Sequence, residues 1–168
     1  MKTIRLSLMI FVAVWVATSC TNRKESLLQL AEENLRQSVD YPQQLQILGI
    51  SEPDSAFGVN YFSPKEKEGI LRIMRSVTDS IMRRTNNMES FDINDFYVMD
   101  LAERQMRANA EIQEMVRQSK GKDEWSGWKV KIDYAAKSHH GLDYHAERWF
   151  FINKEGNSIV RIIELPLP

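Results

Sequence analysis

All three histidines of the chain fall within seven residues, in Ser138-His139-His140-Gly141-Leu142-Asp143-Tyr144-His145, with Glu147 close behind. Imidazole and carboxylate are zinc and copper ligands, and a hairpin can gather them from a turn and the strand beside it. His139, His140, Asp143 and His145 are therefore the metal candidates. Two features weigh against them: the side chains of neighbours such as His139 and His140 normally diverge, and no second ligand cluster stands elsewhere to complete a tetrahedral set. The preferred reading is a solvated polar turn, with no metal and no cofactor. Trp125, Trp128 and Trp149, with Tyr134, Tyr144, Phe150 and Phe151 nearby, form a binding patch if exposed and a core if covered. Asp92, Asp95, Asp100 and Glu103 are a carboxylate group that suits acid–base work, but acids also belong in the first turns of a helix, where they complement its dipole. No nucleophile elbow, phosphate-binding glycine loop or H-E-x-x-H is present, so the reading leans away from an enzyme.

The N-terminus carries a different kind of chemistry. Lys2 and Arg5 precede an apolar stretch from Leu6 to Ala17, broken only by Ser7, and then comes Thr18-Ser19-Cys20. A charged start, a short apolar stretch and small residues before a cut site describe an export signal. A stretch of twelve residues also makes too short a helix for a ~30 Å hydrocarbon core. Ala17-Thr18-Ser19-Cys20 resembles the lipobox of bacterial lipoproteins, in the relaxed Ser-Cys form similar to those common in Bacteroidota; Ala17 stands where most such boxes carry leucine. The resemblance covers about 20 residues and implies cleavage before Cys20, acylation of Cys20 (palmitate among the acyl chains) and attachment to a membrane of the cell envelope. Cys20 is the only cysteine. Once it is acylated no disulfide or thiolate site remains, and stability rests on a packed core.

Three amphipathic helices and a C-terminal sheet must position these residues. Thr21 to Glu25 reads as a polar tether, followed by a helix with Leu27, Leu28, Ala31 and Leu35 on one side and a stop at Tyr41-Pro42. Gln44 to Ile50 and Phe57 to Phe62 read as strands around a turn at Glu52-Pro53-Asp54-Ser55. Ser63-Pro64-Lys65-Glu66 supplies an N-cap, a proline in the first turn and a capping-box glutamate for a helix striped by Ile70, Met74, Val77 and Ile81 and fraying near Thr85-Asn86-Asn87. A third helix starts near Asp92 to Asp95 and runs to about Ser119, with Gly121 as its terminator; Val98, Leu101, Ala108, Ile112 and Met115 form its apolar face. Met74, Met82, Met88, Met99, Met106 and Met115 read as core by their spacing.

The last third alternates. Val130, Ile132, Tyr134 and Ala136 lie on one strand face and Lys129, Lys131, Asp133 and Lys137 on the other, where a charge change is expected to be far milder. With Tyr144 to Ile152 and Ser158 to Leu165, and turns between, this makes a three-strand antiparallel meander stopped by Pro166. Tyr144 to Ile152 is bulky on both parities, so its second face is either covered as well or sticky.

The expected fold is two-layer α+β, with the long helices on one face of an antiparallel sheet ending in the meander. It is loosely similar to cystatin-like or NTF2-like folds, a likeness that implies no activity; a helical bundle with an appended meander is the alternative. Residues 1–19 are the signal peptide, 20–25 the lipidated tether and 26–168 one domain. Loss of Lys2 and Arg5 takes the formal charge of −1 to −3, and no basic stripe favours nucleic acid. The expected role is a non-enzymatic binding or assembly module of the envelope, on the membrane through Cys20, with a protein partner there. The alternative is a metal-binding protein or metal-dependent enzyme built on the histidine turn. Thr21 lacks the aspartate that signals inner-membrane retention in well-studied sorting systems, and the following residues do not resemble an acid-rich surface-export tag. Both features point to the outer membrane, facing the periplasm.

Overall fold

The computed structural model describes residues 22–57, 61–90, 92–118 and 125–168. The signal segment, Cys20 and the expected terminator Gly121 lie outside them. The first helix, α1, occupies 22–38, so the polar residues Asn22 to Glu25, expected as tether, are its first turn. Their ladder continues into a stripe of Leu27, Ala31 and Leu35, all buried, spaced at one helical turn. Glu32 and Arg36 pair at 2.7 Å on the outer side. Pro42–Gln44 is a short 3-10 turn and β1 spans Gln46–Ile50.

The second strand starts earlier than expected, and residues 58–60 of the expected span lie outside the described ones. β2 is Asp54–Phe57, starting inside the segment read as a turn, because a short edge needs only the long β3 to pair with. Phe62, expected in that strand, is instead a core residue, edge-on to Trp149 at 4.9 Å and to Phe151 at 5.5 Å.

Helix α2, Pro64–Arg84, begins with the expected capping box: the Ser63 hydroxyl accepts from the Glu66 amide and the Glu66 carboxylate accepts from the Ser63 amide. Its stripe is as expected, Ile70 and Val77 being buried. It ends at Thr85, after which Asn86 and Asn87 take positive φ of 47° and 55°, a conformation asparagine tolerates. α3 is Phe96–Gln118, capped by Asp95, whose Oδ1 accepts from the Val98 amide at 3.2 Å. Among the described residues no helix is long and apolar enough to cross a membrane.

The strands β3 (Trp125–Lys137), β4 (Asp143–Asn153) and β5 (Ile159–Leu167) form the expected meander within an open antiparallel sheet of order β1-β3-β4-β5, with β2 also on β3. Pro166 does not stop β5; it pairs with Ala146 and the strand runs on to Leu167. An edge strand has one ladder only, so the missing N–H is tolerated on its free side.

Both faces of this sheet are covered. The even-numbered face (Val130, Ile132, Tyr134, Ala136, Phe150, Ile152) packs against Leu27, Ala31, Leu35 and Val39 of the α1 segment. The odd-numbered face (Trp149, Phe151, Ile163, Leu165) packs against α2 and α3 through Ile70, Ala108 and Met115. The α+β architecture therefore has its two long helices on one face, and α1 adds a cover on the other. The lysine side of β3 is not a solvated face. Lys129 is buried, its Nζ donating to Glu66 Oε2 at 2.6 Å and to the Tyr61 carbonyl at 3.2 Å. The residue that caps α2 thus also neutralises a lysine beneath it. The methionines divide: Met115 is buried, whereas Met88, Met99 and Met106 stand exposed.

Because α1 is the cover of an entire face, Leu35→Ala should cost about 2–5 kcal/mol, the range for a buried leucine. Urea denaturation followed by circular dichroism checks this; a cost below about 1 kcal/mol would mean that α1 is an accessory rather than part of the core.

Candidate functional site

A dense polar constellation, which no local sequence pattern announces as one site, lies where α3 crosses the β5 edge. Arg148 of β4 and Glu164 of β5 are register partners on the even face, and Tyr134 of β3 shares that face. Glu164 Oε2 accepts from Tyr134 Oη at 2.6 Å and from Arg148 Nε at 2.8 Å. Its Oε1 accepts from Arg104 of α3 at 2.7 Å. Arg104 Nε also donates to Asp100, one helical turn earlier, at 2.9 Å, and its guanidinium lies 3.5 Å from the centroid of the Tyr144 ring. Arg148 donates onward to Ser38 at the end of α1. One carboxylate is thereby shared by three donors from α3, β3 and β4. Arg104 lines two clefts, one of about 260 Å³ that includes Tyr97, Tyr144 and His145, the other of about 370 Å³ that includes Arg107, Glu111 and Arg148.

Glu164, Tyr134, Arg104 and Arg148 are each driven away from neutral pH. Burial pushes the Glu164 carboxyl up, but Arg148, the Tyr134 hydroxyl and Arg104 outweigh it and hold the group below the usual carboxylate range. Burial, reinforced by Glu164, raises the Tyr134 phenol. For both arginines burial works against the charge, yet Glu164 leaves them more firmly protonated than usual. Two guanidiniums face two carboxylates, and charges buried in this way need such pairing. A general acid or base works best with a pKa near the operating pH, and these groups are poised for structure instead.

The histidine turn is arranged differently from expectation. His139 and His140 do not diverge: their ring centroids lie 3.8 Å apart, and His140 stacks on Phe96 of α3 at 5.0 Å. The tight turn, with Gly141 at a φ of 76°, folds the two side chains together. His145 is exposed on β4 opposite Ala135 and Leu167, and Asp143 faces Lys137 at 3.6 Å. Among the described residues no three histidine, cysteine or carboxylate side chains converge on a metal-sized site. The carboxylate group is also dispersed: Asp92 and Asp95 accept from backbone amides, Asp100 holds Arg104, and Glu103 pairs with Arg107 at 3.7 Å.

The three tryptophans divide. Trp149 is buried in the odd-face core, its Nε1 donating to Glu147 at 2.6 Å. Trp125 and Trp128 meet edge to face at 5.6 Å. On a regular strand residues three apart point to opposite faces, but the pairing slips here: Ala56 faces Gly127 while the adjacent Phe57 faces Trp125. Ser126 is the extra residue of this bulge, which lets both indoles reach one corner. Gly127 makes the bulge possible, since a Cβ there would lie 1.9 Å from the Ile152 carbonyl oxygen.

A readable signal for the ion cluster did exist. The apolar stripe of α3 is interrupted between Leu101 and Ala108 by Arg104 and Gln105, both buried, and Arg148 and Glu164 hold strand positions of apolar parity. No family model, curated protein or solved structure matches this chain.

Replacing Glu164 by Gln should cost about 3–5 kcal/mol, because it leaves two buried guanidiniums short of a counter-charge. The pH dependence follows from the depressed carboxyl. Unfolded, Glu164 binds a proton near pH ~4.3; folded, it does so only at lower pH, so its stabilisation is present above the unfolded value and lost as pH falls through the folded one. Urea midpoints at a series of acid pH values should therefore fall more steeply for the wild type than for Glu164→Gln. Parallel profiles would show that the carboxyl is not held down by its partners.

Proposed function

We propose that this chain is an exported envelope lipoprotein, cleaved before Cys20 and held on a membrane by acyl chains on that residue, whose α+β domain serves as a non-enzymatic binding or assembly module. The observation that carries the reading is the box Ala17-Thr18-Ser19-Cys20 behind a charged and apolar leader. Acyl chains contribute ~0.8 kcal/mol per buried CH₂, and two or more hold a protein stably where one does not. Thr21 after the cysteine favours the outer membrane. The ion cluster supports a scaffold role, since its donors and acceptors are occupied with one another. The outer face of α3 supports a protein partner: Phe96, Met99 and Met106 are exposed at spacings that put them on one side of the helix, and methionine adapts readily to a partner surface.

Metabolic labelling with an alkyne fatty acid tests this reading. Wild-type protein should carry the label and sediment with membranes, and Cys20→Ala should lose the label and keep its leader. An unlabelled wild type, or a labelled variant, would refute it.

A further inference from the structure

The corner that carries Trp125 and Trp128 lies at the start of α1, and this proximity has a consequence for how the domain stands on its membrane. The Arg23 guanidinium sits 5.3 Å from the Trp128 ring centroid and donates to the Lys154 carbonyl. Trp128 Nε1 donates to the same carbonyl at 3.3 Å, and the Lys154 ammonium lies 5.4 Å from the Trp125 ring centroid. Gly156, in the β4–β5 turn, approaches Leu27 and Arg23. Arg23, Trp125, Trp128 and Lys154 therefore form one continuous surface, with Trp125 37% exposed and both cations at the surface.

We propose that this corner is the membrane-facing surface of the domain and seats its two indoles and two cations in the headgroup region of a phospholipid bilayer. The inference rests on acylation of Cys20. Asn22, the first described residue of α1, stands two positions after that cysteine, and an extended chain covers at most ~3.6 Å per residue. Asn22 is thus held within ~7 Å of the anchored residue and Arg23 within ~11 Å, which keeps the first turn of α1, and the corner beside it, close to the lipid. The chemistry of the corner suits that place. Indole has an apolar body and an N–H, and tryptophan concentrates at membrane–water interfaces. Arginine and lysine keep aliphatic stems in apolar surroundings while their charges reach phosphate and water. The bulge at Ser126-Gly127 places two large aromatics together at a partly solvated corner, although Trp149 on the neighbouring strand is buried. The opposite end of β3 carries the histidine turn, stacked on Phe96 at the start of α3. A strand of this length spans ~40 Å, so the same orientation directs the exposed Phe96 and Met99 away from the lipid, toward a partner.

Tryptophan quenching by brominated lipid tests the proposal. Lipidated mature protein, with Trp125, Trp128 and Trp149 as its only tryptophans, is reconstituted into phosphatidylethanolamine–phosphatidylglycerol vesicles, with or without phospholipid brominated high on its acyl chains. The acyl mass on Cys20 is measured on the same sample. Bromine should quench most of the quenchable emission through the corner, and the double variant Trp125→Phe, Trp128→Phe, which leaves Trp149, should lose most of that quenching. Trp125→Phe alone, which alters only the more exposed ring, should lose a clear part of it and serves if the double variant does not fold. Acylated, vesicle-bound protein that shows no bromine quenching overturns the membrane-facing corner and leaves the anchor standing. So does a corner that stays open to aqueous acrylamide in these vesicles, which hold no other protein, as one reserved for a protein partner would. Absence of acyl mass on Cys20 overturns both.

Discussion

Glu164 is the point on which the arrangement of this domain depends. It lies on an edge strand, where it receives Tyr134 and Arg148 from the sheet and Arg104 from α3. Arg148 in turn reaches Ser38 at the end of α1. The helices on opposite faces of the sheet are thus connected around its edge by one partly buried carboxylate. Apolar packing alone is tolerant of small slips, because hydrophobic contact has no direction. A carboxylate with three charge-assisted or hydroxyl donors has one geometry that satisfies all of them, and this fixes how far along the β5 edge α3 can sit.

A second ion pair performs the same service on the other side of the molecule. Lys129 lies under the first turn of α2 and meets Glu66 at 2.6 Å, the same side chain that completes the capping box. Each long helix is therefore registered on the sheet by a buried cation: α2 through Glu66 on Lys129, α3 through Arg104 on Glu164. Between these fixed points the core contacts of Ile70, Ala108, Met115, Phe151 and Ile163 are aliphatic and aromatic, and the buried Gln105 amide adds one bond from α3 to the Met74 carbonyl of α2.

Much of the fold was legible in the sequence because it is written in local terms. The Ser63 to Glu66 box, the stripe of α2, the start of α3 near Asp95 and the alternation from Val130 to Ala136 each depend on residues close in sequence, and each is found in place. Pairing across long separations was not legible. The lysine face of β3 looked solvent-directed because nothing local reveals that Glu66 will fold over Lys129, and Pro166 looked like a stop because edge position is a property of the whole sheet. The same holds for the site. The histidines attracted attention by proximity in sequence, yet they do not converge on a ligand. Arg104, Arg148 and Glu164 are spread over 60 positions and come together only through topology. The Trp125-Ser126-Gly127-Trp128 bulge was legible as a cluster of indoles but not as one corner, since strand parity alone separates them.

A double-mutant cycle tests most directly whether Arg104 and Arg148 act through a single shared carboxylate. Arg104→Met, Arg148→Met and the pair are compared by urea denaturation at neutral pH. With either arginine removed, Glu164 keeps the other; with both removed, it is buried with only the Tyr134 hydroxyl. The double variant should therefore cost more than the sum of the single variants, by about 0.5–3 kcal/mol, the range for residues in one network. Costs that add within about 0.3–0.5 kcal/mol, as for independent sites, would contradict the shared carboxylate as the link between α3 and the sheet.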